Sequence, residues 1–208
     1  GTGGTYYAFG AVLSQYIEKE AGASCVAVST DGSKANIQGI DAGDYQLGTV
    51  QSDVMAYAWA GTRSFEKEGA LDSFRVIGGL YAEAVQLITM DASIKSVADL
   101  KGKVVSIGAA GSGVYFNALD VLGVYGMTES DIEPVYQSFG DSVESLQDGK
   151  IDAAFIVAGA PTTAITDLST SGNVYIVSIE DEYIEKLIEV SPYYKEATIT
   201  ADTYGMDA

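Results

Sequence analysis

The feature that most restricts the fold is an alternation, kept up along most of the chain, of short apolar runs and longer stretches apolar on one face. Short runs rich in β-branched residues fit buried strands, and apolar residues three and four apart fit helices. Residues 6–20 place Phe9, Val12, Leu13, Tyr16 and Ile17 on one helical face, and Ala21-Gly22 offers a stop. A strand is predicted at 25–29, a short helix at 33–42 with Ile37 and Ile40 inward and Ser33 as its cap, and a strand at 46–50. A helix over 52–60 follows, then strands at 74–81 and 85–90, interrupted near Ala82-Glu83.

The pattern then restarts. Ser96-Val97-Ala98-Asp99-Leu100-Lys101-Gly102 reads as a helical turn leading into a strand at 103–107. Gly108-Ala109-Ala110-Gly111-Ser112-Gly113 connects it to a helix reaching Tyr125. Strands at 133–136, 151–157 and 174–177 alternate with helices at 141–148 and 161–168, the second opened by Pro161 at its first position. Such handover predicts an α/β fold with mostly parallel sheets. Two units are expected, residues 1–90 joined by 178–208 and residues 91–177, with a cleft between them.

Composition removes several functions. The net charge of −18, from 29 acidic against 11 basic residues, argues against nucleic acid and anionic lipid surfaces. Histidine is absent, so Ser-His-Asp and Cys-His nucleophile systems and His-based metal sites are excluded. No catalytic residue, metal or cofactor is predicted. Cys25 is the single cysteine, which rules out an intrachain disulfide, and it is expected to sit as a small hydrophobe in a buried strand. With 47% hydrophobic residues the chain can build a core, yet no apolar run approaches the ~20 residues of a membrane span. The opening Gly1-Thr2-Gly3-Gly4 reads as the middle of a motif, so a processed or trimmed start is expected.

Three turns place small polar residues at the start of a helix: Gly3-Gly4-Thr5-Tyr6, Gln51-Ser52-Asp53 and Gly111-Ser112-Gly113. Unpaired main-chain N–H groups at such turns bind anions, and glycine lets a ligand approach the backbone. Each turn alone is also explained by capping; three together point to a site. Neither a dinucleotide fingerprint nor a phosphate loop with its lysine is present. With only Arg63 and Arg75 available, a cationic clamp has few candidates. The expected grip is therefore by helix N-termini, hydroxyls and amides, with Asp53 to meet an ammonium group and Tyr6 and Tyr81 as walls.

These blocks resemble, in order, the TAXI-type solute receptors of TRAP transporters. The likeness runs from Gly1-Thr2-Gly3-Gly4-Thr5-Tyr6-Tyr7 through Thr30-Asp31-Gly32-Ser33-Lys34-Ala35-Asn36-Ile37 and Leu47-Gly48-Thr49-Val50-Gln51-Ser52-Asp53. It continues in Leu80-Tyr81-Ala82-Glu83, the block at 96–103, Val105 to Gly113, and Asp148-Gly149-Lys150-Ile151-Asp152-Ala153. The resemblance implies a periplasmic-binding-protein-like fold (type II), an α/β architecture of two lobes closing on a solute. It also implies an extracytoplasmic location, in the periplasm or as a cell-surface lipoprotein in a Gram-positive organism. The implied partners are a small carboxylate or amino acid of the glutamate, glutamine or 2-oxoglutarate kind and a TRAP-type permease; a monomer is the default. Ligand-binding positions carried over are Gly4, Thr5, Tyr6, Ser33, Gln51, Ser52, Asp53, Tyr81, Ser112 and Gly113. Val114 stands where a threonine often follows Gly-Ser-Gly, which removes one hydroxyl. By the same likeness, a first strand before Gly1 and a stretch beyond Ala208 are expected to be missing. Two other readings are a ligand-sensing domain of a signalling protein and an enzyme on the same fold, the latter requiring a perturbed carboxylate or lysine in the cleft.

Overall fold

In the computed structural model, which describes residues 1–205, every strand lies between residues 84 and 177. β1 (Ala84–Thr89), β2 (Val104–Ser106), β3 (Glu133–Val135), β4 (Ala153–Ala158) and β5 (Tyr175–Val177) form one sheet in the order β3-β2-β4-β1-β5. The Ala-Ala-Phe-Ile-Val-Ala run of β4 is buried at all six positions, as a strand covered on both faces must be. β2 runs parallel to β3 and β4, while β1 is antiparallel to β4 and β5 and sets Leu87 opposite Phe155 and Val177. The sheet is thus mixed rather than mostly parallel, because β1 runs opposite to the other strands.

The period of two in β4 divides the core. Phe155 and Val157 face one cluster with α4 (Val114–Val124) and Leu187 of α7 (Asp181–Val190). Ala154, Ile156 and Ala158 face the other, with Val143 and Leu146 of α5 (Phe139–Gln147) and Ile165 and Leu168 of α6 (Thr163–Ser169). Truncating the fully buried Phe155 to alanine removes about 3–5 kcal/mol of this packing. Two helix starts differ from the sequence reading. α5 begins at Phe139 because Ser138 Oγ accepts the Asp141 amide at 3.3 Å. α6 begins after Thr162, not at Pro161, because the Thr162 amide is held by the Tyr204 hydroxyl at 3.0 Å.

The residues before β1 are built differently. α1 (Thr5–Ala21) ends at Gly22, whose φ of 64° is the left-handed closure glycine favours. α2 (Ser33–Asp41) and α3 (Ser52–Ala60) pack on a small core of Ile37, Val54, Tyr57, Ala58, Phe65 and Phe74. The strands predicted at 25–29, 46–50 and 74–81 are irregular, and among the described residues no residue of these runs joins a backbone–backbone hydrogen bond. An apolar run becomes a strand only when a partner accepts its ladder. Val26 and Ile77 stand 77% and 85% exposed, and Cys25 is half-buried in irregular chain rather than in a buried strand. Gly32 caps α2, so Ser33 is its first residue and not its cap. Of the predicted return segment 178–208, the last three residues lie outside the described ones. Among the described residues no helix is long and apolar enough to cross a membrane.

Candidate functional site

The starts of α1, α2, α4 and α5 and the residue preceding α3 surround one cavity of about 370 Å³. Among the described residues no N-cap side chain serves α1, α2, α3 or α4. The opening amides of α1, α2 and α4 (Thr5 and Tyr6, Ser33 and Lys34, Val114 and Tyr115) keep their hydrogen-bonding capacity, whereas the Ala35 amide goes to the Gly111 carbonyl at 3.3 Å and the Val54 amide to Asp53. Partial positive charge from these helix ends falls on the same space. Glycine makes the convergence possible. A Cβ on Gly32 (φ 122°) would lie 3.1 Å from Ser112 Cα, and one on Gly113 would strike the Gln51 side chain and approach Val54 Cγ2 to 2.8 Å.

Seven of the ten predicted positions line this cavity: Gly4, Thr5, Tyr6, Ser33, Gln51, Ser112 and Gly113. Ser33 Oγ accepts the Gln51 amide at 3.1 Å, and Ser112 Oγ donates to the Ala109 carbonyl at 2.6 Å. Tyr6 donates its hydroxyl to Glu83 Oε2 at 3.0 Å. Tyr81 stands behind, edge-on to Tyr6 with ring centroids 6.5 Å apart, and does not line the space. Ser52 is exposed. Asp53 is buried and turned away, accepting from the Val54 amide at 2.8 Å and Asn117 Nδ2 at 3.1 Å.

Asp53 belongs to a polar relay that starts at the cavity wall. Gln51 Nε2 donates to Asn117 Oδ1 at 2.6 Å, and Asn117 Nδ2 donates to the Tyr194 hydroxyl at 2.8 Å. Tyr194 donates to Asp120 Oδ2 at 2.9 Å, and Arg63 grips both Asp120 oxygens. Burial, against its hydrogen bonds, pushes the Asp53 carboxyl up, and burial with the Asp120 charge does the same to Tyr194. The relay joins α3 and its following turn to α4 and to the chain after α7.

Sequence reasoning missed Glu83, Asp31, Gln137 and Phe139, all of which line the cavity. The signal for Glu83 was present: it ends the block Leu80-Tyr81-Ala82-Glu83, from which only Tyr81 was taken. Burial, aided by the nearby Asp53 charge, raises the Glu83 carboxyl to about 7 although the Tyr6 hydrogen bond opposes this. Gln137 leaves Nε2 buried without a partner while its Oε1 accepts from Ser145 Oγ at 3.5 Å. Among the described residues the lining holds the carboxylates of Asp31 and Glu83 and no lysine or arginine. The Gly1 amine donates to the Thr30 carbonyl at 2.5 Å, and burial lowers its pKa. Among the described residues no group of three or more His, Cys, Asp or Glu is placed to hold a metal ion.

Chemically the cavity can hold and orient. Glu83 is the perturbed carboxylate that an enzymatic reading requires, but its hydroxyl partner Tyr6 has its own pKa pushed up by burial and by Glu83, the reverse of an activated nucleophile.

Solved structures with similar folds are solute-binding proteins. The periplasmic aliphatic sulphonate binding protein SsuA from Escherichia coli is 22% identical at a TM-score of 0.51, over 81% of this chain and 51% of that one. The alkanesulfonate-binding protein SsuA from Xanthomonas axonopodis pv. citri, bound to MOPS, is 20% identical at 0.55, over 84% and 57%. The amino acid ABC transporter substrate-binding protein AbpA from Streptococcus pneumoniae, bound to L-arginine, is 16% identical at 0.55, over 82% and 64%. The chain therefore spans between about half and two thirds of the length of these proteins, and the likeness establishes the periplasmic-binding-protein-like α/β fold. Residues 1–208 match the NMT1-like family throughout, and the chain belongs to it.

Proposed function

Proceeding from membership of the NMT1-like family, we propose that this protein is an extracytoplasmic solute receptor that binds a small carboxylate or amino acid and hands it to a membrane permease. The observation that carries this reading is the cavity itself: the starts of α1, α2, α4 and α5 meet around a space of about 370 Å³, with uncapped opening amides and the side chains of Thr5, Ser33 and Ser112 on its lining. Such a constellation recognises a carboxylate without a cationic side chain. Gly4, Thr5, Tyr6, Ser33, Gln51, Ser112 and Gly113 are the predicted contacts that this geometry supports, with Ser52, Asp53 and Tyr81 in supporting places. The motif likeness to TAXI receptors favours a TRAP-type permease. A second reading, an ABC-type permease, is favoured by the fold neighbour AbpA, which is an ABC transporter substrate-binding protein.

Calorimetry of the purified protein against amino acids, dicarboxylates, 2-oxo acids and alkanesulfonates tests the receptor reading. Saturable 1:1 binding of at least one class is expected. A folded sample that binds none of them, or that converts a bound compound into another by mass spectrometry, would overturn it.

A further inference from the structure

We infer that the cavity takes a zwitterionic α-amino acid with an uncharged side chain, and that Glu83 selects it by accepting its ammonium group. This rests on the receptor reading and narrows it. The side-chain charges facing the cavity are the carboxylates of Asp31, exposed at the rim, and Glu83, half-buried within; among the described residues no lysine or arginine joins them, and the Gly1 amine on the lining is held by the Thr30 carbonyl. Glu83 is oriented: Tyr6 holds Oε2 at 3.0 Å, and among the described residues no donor reaches Oε1. An ionised carboxylate with an unmet oxygen in a partly desolvated wall calls for a donor of positive charge.

The rest of the lining divides by chemistry. Uncapped opening amides at the starts of α1, α2 and α4, whose positive ends surround the cavity, suit one ligand carboxylate. Val114, Phe139, Val157 and Ala158 are apolar and suit an uncharged side chain. A second ligand carboxylate would find no lysine or arginine among the described residues, the Gly1 amine being already bonded to Thr30, and would stand near Glu83 and Asp31. Dicarboxylates and 2-oxo acids are therefore disfavoured.

The test uses L-valine, its des-amino analogue isovalerate, L-glutamate and 2-oxoglutarate as probes, with Glu83→Gln and Glu83→Asp variants checked for folding by thermal melting. L-Valine is expected to bind at least tenfold more tightly than each of the other three. Glu83→Gln should lose at least tenfold in valine affinity and close most of the gap to isovalerate, while Glu83→Asp keeps the preference. Valine affinity should also rise between pH 6 and 8 as Glu83 loses its proton, the other groups near it being Tyr6, Tyr81 and Asp53. Tighter binding of 2-oxoglutarate or glutamate, or a Glu83→Gln variant with unchanged preference, would overturn the inference and leave the receptor reading standing. Absence of binding by every compound, alkanesulfonates included, would overturn both.

Discussion

Arg63 holds Asp120 through two hydrogen bonds, 2.6 and 3.2 Å long, from a backbone φ of 49° that side-chain-bearing residues seldom adopt. The pair links the turn after α3 to α4, and the guanidinium also lies over the Tyr57 ring at 5.0 Å. Left-handed backbone at a non-glycine residue persists where surroundings over-determine it. Here a bidentate contact to a buried carboxylate does so.

Removing the acid is expected to cost more than it would on the surface. Asp120→Ala leaves Arg63 and the Tyr194 hydroxyl unmatched, and about 3 kcal/mol is expected, the low end for broken buried pairs because a third of Arg63 is in solvent. For a chain of this size that lowers Tm by about 6–12 °C. Arg63→Gly should melt above Arg63→Ala by the equivalent of about 1 kcal/mol, since glycine relieves the positive φ. Equal melting of the two would refute the strain argument.

Asn117 separates two carboxylates, donating to Asp53 and, through Tyr194, supporting Asp120. Asn117→Asp sets a third acid among them at a site 2% exposed. A loss of about 3 kcal/mol is expected at pH 8 and distinctly less at pH 5, where the crowded carboxyls can take up protons. Denaturant melts at the two pH values check this.

Gly113→Ala should act on the cavity and the relay together. The new Cβ displaces Gln51, which is tied to Asn117, and presses on Val54. A cost of about 1–3 kcal/mol is expected, with weakened solute binding by calorimetry. A variant that binds as the parent does would show that Gln51 is free to move.

Glu83 makes the protein acid-preferring at this position. Its folded pKa, about 7, lies above its reference value of 4.5, so the native state binds the proton more tightly than the unfolded chain. The resulting stabilisation is complete below about 4.5, fades as pH rises through 7 and is absent above it. Glu83→Gln, neutral throughout, should melt with the parent near pH 4 and above it at pH 8, by about 2 kcal/mol once partial solvent exposure is discounted. Thermal melts across that range decide it; a constant difference would place the Glu83 pKa elsewhere.

The legible parts of the fold are those specified locally. α3 spans the predicted residues, since its apolar spacing and the Gly61 stop lie within one stretch. β4 was found as a continuous apolar run, and α4 from its glycine-rich entry. The runs at 25–29, 46–50 and 74–81 have strand composition but no partner, and partnership is a property of distant chain. Within the site, glycine-rich helix starts announce themselves in sequence. The facing direction of a carboxylate does not: Asp53 and Glu83 both sit in recognisable blocks, yet only the fold shows that Asp53 points into the relay and Glu83 into the cavity.

The irregular runs have a consequence measured in time. Among the described residues the amides at 23–30, 46–50 and 74–83 lack main-chain partners, and apart from that of Cys25, held by Glu18, they should trade deuterium within seconds. Those of β4, paired along its length with β1, at Ala153 and Ala154 also with β2, and buried, should wait for global unfolding. Ser29, Thr30 and Glu83 belong to the fast set and also line the cavity. A solute seated there would touch the quickest part of the molecule and the slowest at once, and its residence would be written in the slowing of the former.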